Sequence, residues 1–190
     1  MNERLATGFA KDIDAMTLAR AQRGDMAAFE EIYRCYGRAC FQLALRLTGQ
    51  RQPAEDLVHE AFLKMMDTIA SYRGEAPFGA WFKRLTANLS IDWLRRQRHL
   101  ADTGAETMFE QTAAIEPDPA GLVDADSLLA QLPPRARAIV VLHELEGYTH
   151  AELAALFGQS ESYSKSILAR ALKRLHVLAA SAASRSQVAS

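Results

Sequence analysis

The segment over residues 132–175 constrains the fold most strongly, because it contains the start and stop signals of two consecutive helices. Thr149 and Glu152 are spaced as a capping box, in which each side chain satisfies a backbone donor at a helix start. A helix is therefore predicted directly after Thr149, and Gly158 is the residue best suited to end it. Ser160 is placed to cap a second helix. The pattern predicts a helix-turn-helix.

The second of these helices is predicted to be short, basic and amphipathic, because its polar residues are separated by apolar residues at helical spacing. Such a helix suits a reader of the DNA major groove, whereas an ordinary helical hairpin would leave the same basic face in solvent. The apolar residues are Ile167, Leu168, Leu172 and Leu175. The polar residues are Lys165, Ser166, Arg170, Lys173 and Arg174.

Charge is distributed unevenly along the chain, although the formal net charge is only −1. Residues 72–100 and 132–190 are net basic, whereas residues 101–131 carry seven acidic and no basic side chains. Two basic segments can contact phosphates while the acidic segment avoids them. Residues 101–121 also contain prolines and lack a helical period, which predicts a linker.

Helical periodicity dominates the rest of the sequence, and the predicted fold class is all-α, with two small helical domains joined by a flexible acidic linker. The first domain is expected to contain four helices. The predicted organisation is a first domain over 15–100, a linker over 101–121, a second domain over 122–178 and a disordered tail over 179–190.

Within the first domain, Asp25 is predicted to cap a long helix that ends at Gly49. The next helix has an apolar stripe that indicates a core-facing side. The stripe consists of Leu57, Ala61, Met65 and Ile69. A fourth helix is predicted over 78–98, with apolar residues at core spacing. These residues are Phe78, Phe82, Leu85, Leu89 and Trp93.

The predicted fourth helix also carries amide and guanidinium groups, which can address bases and phosphates. Tyr72, in the preceding loop, is a candidate for stacking on a base because loops present side chains outward. Trp81, Phe82 and Trp93 are expected in the core, because aromatic residues at helical spacing usually pack there.

No set of residues indicates catalysis, metal binding or a cofactor. The five histidines have no ligand spacing with cysteines or carboxylates, and the sequence lacks a nucleophile, base and oxyanion set. Cys35 and Cys40 are interpreted as small core or half-buried residues, because their spacing on a helix points them in different directions. No apolar run approaches the roughly 20 residues needed to cross a bilayer, so the protein is expected in the cytoplasm.

Two blocks of sequence, residues 54–99 and 132–175, together resemble an extracytoplasmic-function sigma factor, a compact two-domain subunit of bacterial RNA polymerase. The blocks begin with AEDLVHEAF and LPPRARAIVV, and the resemblance covers about residues 20–178. It implies that the first domain is sigma region 2, which binds core polymerase and recognises and melts the minus-ten element. It implies that the second is sigma region 4, which recognises the minus-thirty-five element.

The resemblance implies three binding surfaces. The clamp helices of the polymerase's largest subunit would be bound by Asp56, His59 and Glu60, where an acidic ridge suits a basic partner; the polymerase flap region is a further implied partner. The single-stranded minus-ten element of promoter DNA would be bound by Tyr72, Arg73, Lys83, Arg84, Asn88, Arg95 and Arg96. The minus-thirty-five duplex would be bound by Arg135, Ser162, Tyr163, Lys165, Ser166, Arg170, Lys173 and Arg174.

The sequence departs from the usual recognition-helix pattern of this family. Gly-Thr-Val-Lys-Ser-Arg-Leu appears here as Ser-Tyr-Ser-Lys-Ser-Ile-Leu over residues 162–168, so Tyr163 enters the helix start and Ile167 replaces a common arginine. His59 stands where the family often has glutamine. The promoter sequence is therefore not carried over from the family.

The resemblance also implies an anti-sigma factor, in this family often tied to the inner membrane, without membrane insertion of this chain itself. The acidic linker resembles the family segment that threads the polymerase toward the RNA exit path, with a disordered tether as the alternative. Two other classes stay open. A helix-turn-helix regulator without polymerase would explain residues 132–178 but not the acidic ridge, and an enzyme would need a catalytic set that the sequence lacks.

Overall fold

The computed structural model describes residues 8–101 and 125–188, and every regular element in these two ranges is helical. The all-α fold class predicted from the sequence is confirmed. The chain divides between Trp93 and Leu94 into two compact units. The predicted acidic linker over 101–121 lies outside the described residues, apart from its first residue, Ala101, which ends a helix.

Over its described residues, 8–93, the first unit is built from four helices, the last of which continues past the unit boundary. They are α1 (Ala15–Gln22), α2 (Met26–Thr48), α3 (Arg51–Thr68) and α4 (Phe78–Ala101), with short 3-10 turns at Gly8–Ala10 and Ile69–Ser71. The boundaries of α2 follow its sequence signals. The Asp25 carboxylate accepts hydrogen bonds from two backbone N–H groups at the helix start, and Gly49 ends it in the left-handed conformation.

Aromatic rings from several elements form the core of the first unit. Tyr36 of α2 and Phe82 of α4 are fully buried, and the Phe82 ring packs edge-on against Phe62 of α3 at 4.8 Å between centroids. Phe9, from the turn before α1, stacks on Tyr36. A Cβ on Gly79 would lie 1.9 Å from the Phe9 carbonyl oxygen, so only glycine permits this approach. The predicted α3 stripe is buried throughout.

The buried face of α4 differs from the prediction. Leu85, Leu89 and Trp93 are only half-buried, whereas Thr86 and Ser90 are buried. These two hydroxyls donate to backbone carbonyls four residues earlier, at 3.0 and 2.9 Å, so burying them leaves no donor unsatisfied.

Both cysteines are free, with Cys40 buried and Cys35 half-buried, in agreement with the interpretation of the sequence. Cys40 Sγ lies 3.4 Å from Thr86 Oγ1, at the packed contact between α2 and α4. Burial raises the pKa of the Cys40 thiol to about 12, which keeps it in the unreactive protonated form at neutral pH.

In the range 125–188, the second unit contains four further helices: α5 (Ala125–Ala130), α6 (Pro134–Val140), α7 (His150–Phe157) and α8 (Glu161–Val188). A π-helical turn, Val141–Leu145, follows α6. Ile139 and Leu153 are completely buried, and α5, α6 and α7 all pack on α8.

The length of α8 corrects one expectation. The helix was expected to be short, but it continues to Val188, through most of the predicted tail over 179–190; residues 189 and 190 lie outside the described residues. The segment after Leu178 is rich in alanine, the strongest helix former, and contains no glycine or proline that would end the helix.

Candidate functional site

The exposed side of α3 carries the acidic face, which we define as Asp56, His59 and Glu60. All three are exposed, and their spacing of three and four residues places them on one side of the helix, opposite the buried stripe. The Gln52 amide donates to the Asp56 carboxylate at 3.2 Å, which orients that oxygen from within the same face. Leu63 follows one turn later and is 50% exposed. The face therefore combines negative charge with an apolar residue.

Tyr72 is held inside its loop. Its hydroxyl donates to the Ala76 carbonyl at 2.7 Å, and its ring contacts Phe78 edge-on and Trp81 at 5.5 Å between centroids. The Gln22 amide donates to the Tyr72 carbonyl at 3.0 Å and ties the start of the loop to α1. Tyr72 is therefore half-buried and fixed by internal contacts, and is not the free outward ring expected from a loop.

Trp81, Arg84 and Asn88 share one side of α4, because they are three and four residues apart. Arg84 and Asn88 are exposed, and Trp81 is half-buried. The Trp81 ring was expected in the core, but it instead joins Tyr72 to this polar side. Its spacing from Arg84 and Asn88 was the signal that would have found it in the sequence.

The other positions predicted for this surface are placed differently. Lys83 is half-buried on a different side of α4, and Arg73 is exposed in the loop. Arg95 and Arg96 are exposed on the part of α4 that follows Trp93, within the second unit. Within the first unit, Tyr72, Arg84 and Asn88 of the predicted set therefore lie together with Trp81.

The helix-turn-helix has the local structure that its sequence predicts. The Thr149 hydroxyl accepts from the Glu152 backbone N–H at 3.2 Å, and the Glu152 carboxylate accepts from the Thr149 backbone N–H at 2.9 Å. Gly158 ends α7 in the left-handed conformation, and Ser160 Oγ accepts from the Tyr163 N–H at 3.2 Å at the start of α8. Both helix starts are therefore fixed by side-chain caps.

The basic face of α8 is exposed along its first three turns. We define it as Lys165, Ser166, Arg170 and Lys173, all of which are exposed. Ser162 precedes this face and is also exposed, and Arg174 lies exposed on its flank. The opposite side is buried by Ile167, Leu168 and Ala171, whereas Leu172, which was expected on the apolar side, is 37% exposed.

The departures from the family pattern are explained by burial. Ile167 replaces a common arginine and is only 7% exposed, so it packs in the unit and lies away from the basic face. Ser164, where valine is usual, is 2% exposed. Its hydroxyl donates to the Glu161 carbonyl at 2.9 Å and contacts His150 Nδ1 at 3.0 Å. The buried hydroxyl is therefore fully used.

Arg135 of α6 reaches the start of α8. Its guanidinium carbon lies 5.2 Å from the centre of the Tyr163 ring and 5.7 Å from the centre of the Phe157 ring. Contacts of this kind are each worth about 0.5–1 kcal/mol at exposed sites. Arg135 and Tyr163 are both half-buried, so two residues predicted to contact DNA separately lie against each other.

A pair of histidines lies beside the same helix start. The rings of His143 and His150 are stacked, with 4.5 Å between their centres. A hydrogen bond of 3.0 Å joins His150 Nδ1 to Ser164 Oγ at the start of α8. Burial lowers the pKa of His150, and the nearby His143 and Lys165 lower it further, against smaller opposite effects of the Glu161 and Glu144 carboxylates.

This arrangement predicts a loss of stability in acid. A histidine whose pKa is lower in the folded state takes up its proton first in the unfolded chain, so the stability of the neutral form is lost as the pH falls below about 6.5. The midpoint of thermal unfolding should therefore fall between about pH 7.5 and pH 5.5, and less so in His150→Gln. An equal fall in the variant, measured by circular dichroism, would contradict this origin.

Two further properties concern the described part of the chain alone. Within residues 8–101 and 125–188, no group of three histidine, cysteine or carboxylate side chains is arranged to hold a metal ion. Over the same ranges, no helix combines the length and the apolar character needed to span a membrane.

Comparison with known proteins identifies relatives of both units. The family model of Sigma-70 region 2 matches residues 32–100, and that of Sigma-70 region 4 matches residues 122–175. The ECF RNA polymerase sigma factor SigM of Mycobacterium tuberculosis is 30% identical over 165 residues, which cover 85% of this chain and 82% of SigM. SigE of Mycolicibacterium smegmatis is 29% identical, and the match spans 57% of its length.

Among solved structures, the chain is similar to the sigma factor RpoE in its complex with the anti-sigma factor NepR from Bartonella quintana. The TM-score is 0.52 at 26% sequence identity, and the match covers 74% of this chain and 89% of RpoE.

Proposed function

The chain belongs to the extracytoplasmic-function family of RNA polymerase sigma factors, and from that membership we propose that it binds core polymerase and directs transcription from its own set of promoters. It acts as an initiation factor and not as an enzyme. The main support for the proposal is the basic face of α8. This face is exposed, it belongs to a helix-turn-helix in which the starts of both helices are capped, and it lies within the residues that match region 4.

In this proposal the acidic face of α3 docks on the clamp helices of the polymerase's largest subunit. Exposed carboxylates suit a basic partner surface, because complementary charge favours encounter and fixes orientation. Leu63 adds apolar area next to Glu60, and interfaces between proteins typically combine apolar with polar area. A solvated helix face is the alternative, and family membership favours docking.

The polar side of α4 is proposed to receive the single-stranded minus-ten element. Tyr72 and Trp81 form an aromatic pair on which an unstacked base can rest, and Asn88 offers an amide to a base edge. Arg84 lies between Trp81 and Asn88 on the same side and can contact a phosphate. Holding a flipped base favours the open duplex without nucleotide hydrolysis, because the pocket offsets the cost of unstacking.

The basic face of α8 is proposed to enter the major groove of the minus-thirty-five element. Helix-turn-helix proteins present the N-terminal turns of the second helix to base edges. Lys165, Ser166 and Arg170 lie on those turns, while Lys173 and Arg174 follow and suit phosphates. The free chain is expected to bind DNA weakly, because its formal net charge is −1.

An anti-sigma factor is proposed to control the chain in the cytoplasm. Support comes from the structural similarity to RpoE, which was solved together with its anti-sigma factor. Attachment of that partner to the inner membrane is a further part of the proposal.

Replacement of Arg170 by alanine should weaken promoter-dependent transcription and leave core binding intact. Loss of a base contact costs about 1–3 kcal/mol, which corresponds to roughly fivefold to hundredfold in promoter affinity. The measurement is in vitro transcription by core polymerase on a genomic fragment library, with RNA starts sequenced, and then on the promoters so found.

Arg23→Ala is a matched control, because it removes the same charge from an exposed position outside the three proposed surfaces. It should transcribe as the wild type does. If the wild-type protein gives no discrete RNA starts with an active core polymerase, the proposed sigma-factor activity is contradicted. If the free chain then binds a specific DNA duplex without polymerase, the alternative of a helix-turn-helix regulator is favoured.

A further inference from the structure

Three side chains from three helices meet at the start of α8, and the proposed DNA contacts alone do not explain why they cluster. Three helices converge there: Arg135 comes from the first turn of α6, Phe157 from the end of α7 and Tyr163 from the first turn of α8. The guanidinium lies within cation–π distance of both rings, at 5.7 Å from Phe157 and 5.2 Å from Tyr163. Arg135 is thus held at the start of α8, the end of the helix that is proposed to face DNA.

We infer that Tyr163 is a positioning residue, whose ring holds the Arg135 guanidinium in place for a backbone phosphate of the minus-thirty-five duplex. The inference rests on the proposed function and assigns Tyr163 a role through Arg135, without a base contact of its own. An arginine that is already ordered loses less side-chain freedom when it binds a phosphate.

The aromatic ring is the part of Tyr163 that this role needs. The contact to Arg135 is made by the face of the ring, and the backbone N–H of Tyr163 is used by the Ser160 cap. The threonine that is usual in the family at this position has no ring and cannot hold a guanidinium in this way. Tyr163 and Arg135 therefore act as a pair that belongs to this chain.

The test uses holoenzyme assembled from core polymerase and the full chain. A promoter duplex is first selected from a random duplex pool with the wild-type holoenzyme, and its affinity is then measured by fluorescence anisotropy over a series of KCl concentrations. The variants are Arg135→Gln, Tyr163→Leu, Tyr163→Phe and the double variant Arg135→Gln with Tyr163→Leu. Circular dichroism confirms that each variant is helical.

Arg135→Gln should lower the salt slope of log affinity by about 1. Tyr163→Leu should shift the slope in the same direction, and Tyr163→Phe should restore the wild-type slope, because phenylalanine keeps the ring. The double variant should bind no more weakly than Arg135→Gln alone, since the ring acts only through the arginine.

A second readout follows the pair without DNA. In the NMR spectrum of the free chain, the Arg135 Nε–H signal should carry a ring-current shift that Tyr163→Leu reduces and Tyr163→Phe keeps. If Tyr163→Leu has the wild-type salt slope on a selected promoter, or if Tyr163→Phe is as defective as Tyr163→Leu, the inference is overturned while the proposed function stands. If the wild-type holoenzyme selects no sequence, the proposed function fails and the inference fails with it.

Discussion

Replacing Asp56 by lysine should weaken binding to core RNA polymerase by at least about a hundredfold. Asp56 is exposed at one end of the acidic face, and its carboxylate is oriented by the Gln52 amide. Reversal of its charge removes an attraction to a basic partner and replaces it with a repulsion, and like charges placed against each other at an interface cost several kcal/mol. The expected loss comes from the interface alone, because an exposed helix position tolerates lysine well.

The affinity is best measured by titration of fluorescently labelled core polymerase with each full-length variant. Asp12→Lys is the matched control, because Asp12 is an exposed residue before α1 and its replacement changes the net charge equally. Near-wild-type affinity for Asp12→Lys and a large loss for Asp56→Lys are expected. Equal affinities of the two variants would show that α3 does not dock through this face.

Features encoded by a few neighbouring residues were predictable from the sequence. The capping box of Thr149 and Glu152, the end of α7 at Gly158 and the start of α2 at Asp25 all appear as expected. Each depends on backbone groups within about one helical turn, so short sequence windows contain all the information needed.

Features that depend on packing between helices were not predictable from periodicity. Thr86 and Ser90 are polar residues, yet they are buried, because each hydroxyl donates to a backbone carbonyl of its own helix. Trp81 was expected in the core and lies at the edge with Tyr72. Periodicity identifies the side of a helix that is buried but not the depth to which each residue is buried.

The candidate DNA surface of the second unit was only partly predictable. The residues of the basic face of α8 lie on one exposed side, as helical spacing requires. The contact of Arg135 with Tyr163 joins residues far apart in sequence, and the hydrogen bond of His150 with Ser164 joins α7 to α8. Such pairs become visible only when the helices are packed, and they explain the unusual residues at positions 163 and 164.

Replacement of Phe82 by alanine should lower the free energy of unfolding of the first unit by about 3–5 kcal/mol, the usual cost of removing a large buried aromatic side chain. Phe82 is fully buried, and its ring contacts those of Phe9, Tyr36 and Phe62. The three neighbouring rings come from three other elements, so a cavity at Phe82 cannot be closed by the movement of one neighbour alone.

The two tryptophans of the chain give this unit its own signal, because Trp81 and Trp93 both lie on α4 within the first unit. Urea unfolding followed by tryptophan fluorescence should therefore show a lower midpoint for Phe82→Ala. Tyr33→Ala is the matched control, because this ring also packs on Phe62 but is 54% exposed. Tyr33→Ala is expected to lower the midpoint less, because about half of the Tyr33 surface is already in contact with water. Equal shifts of the urea midpoint for Phe82→Ala and Tyr33→Ala would contradict the central place of Phe82 in this core. They would also contradict the view that this core holds α3 and α4, the helices that carry two of the proposed binding surfaces, in place.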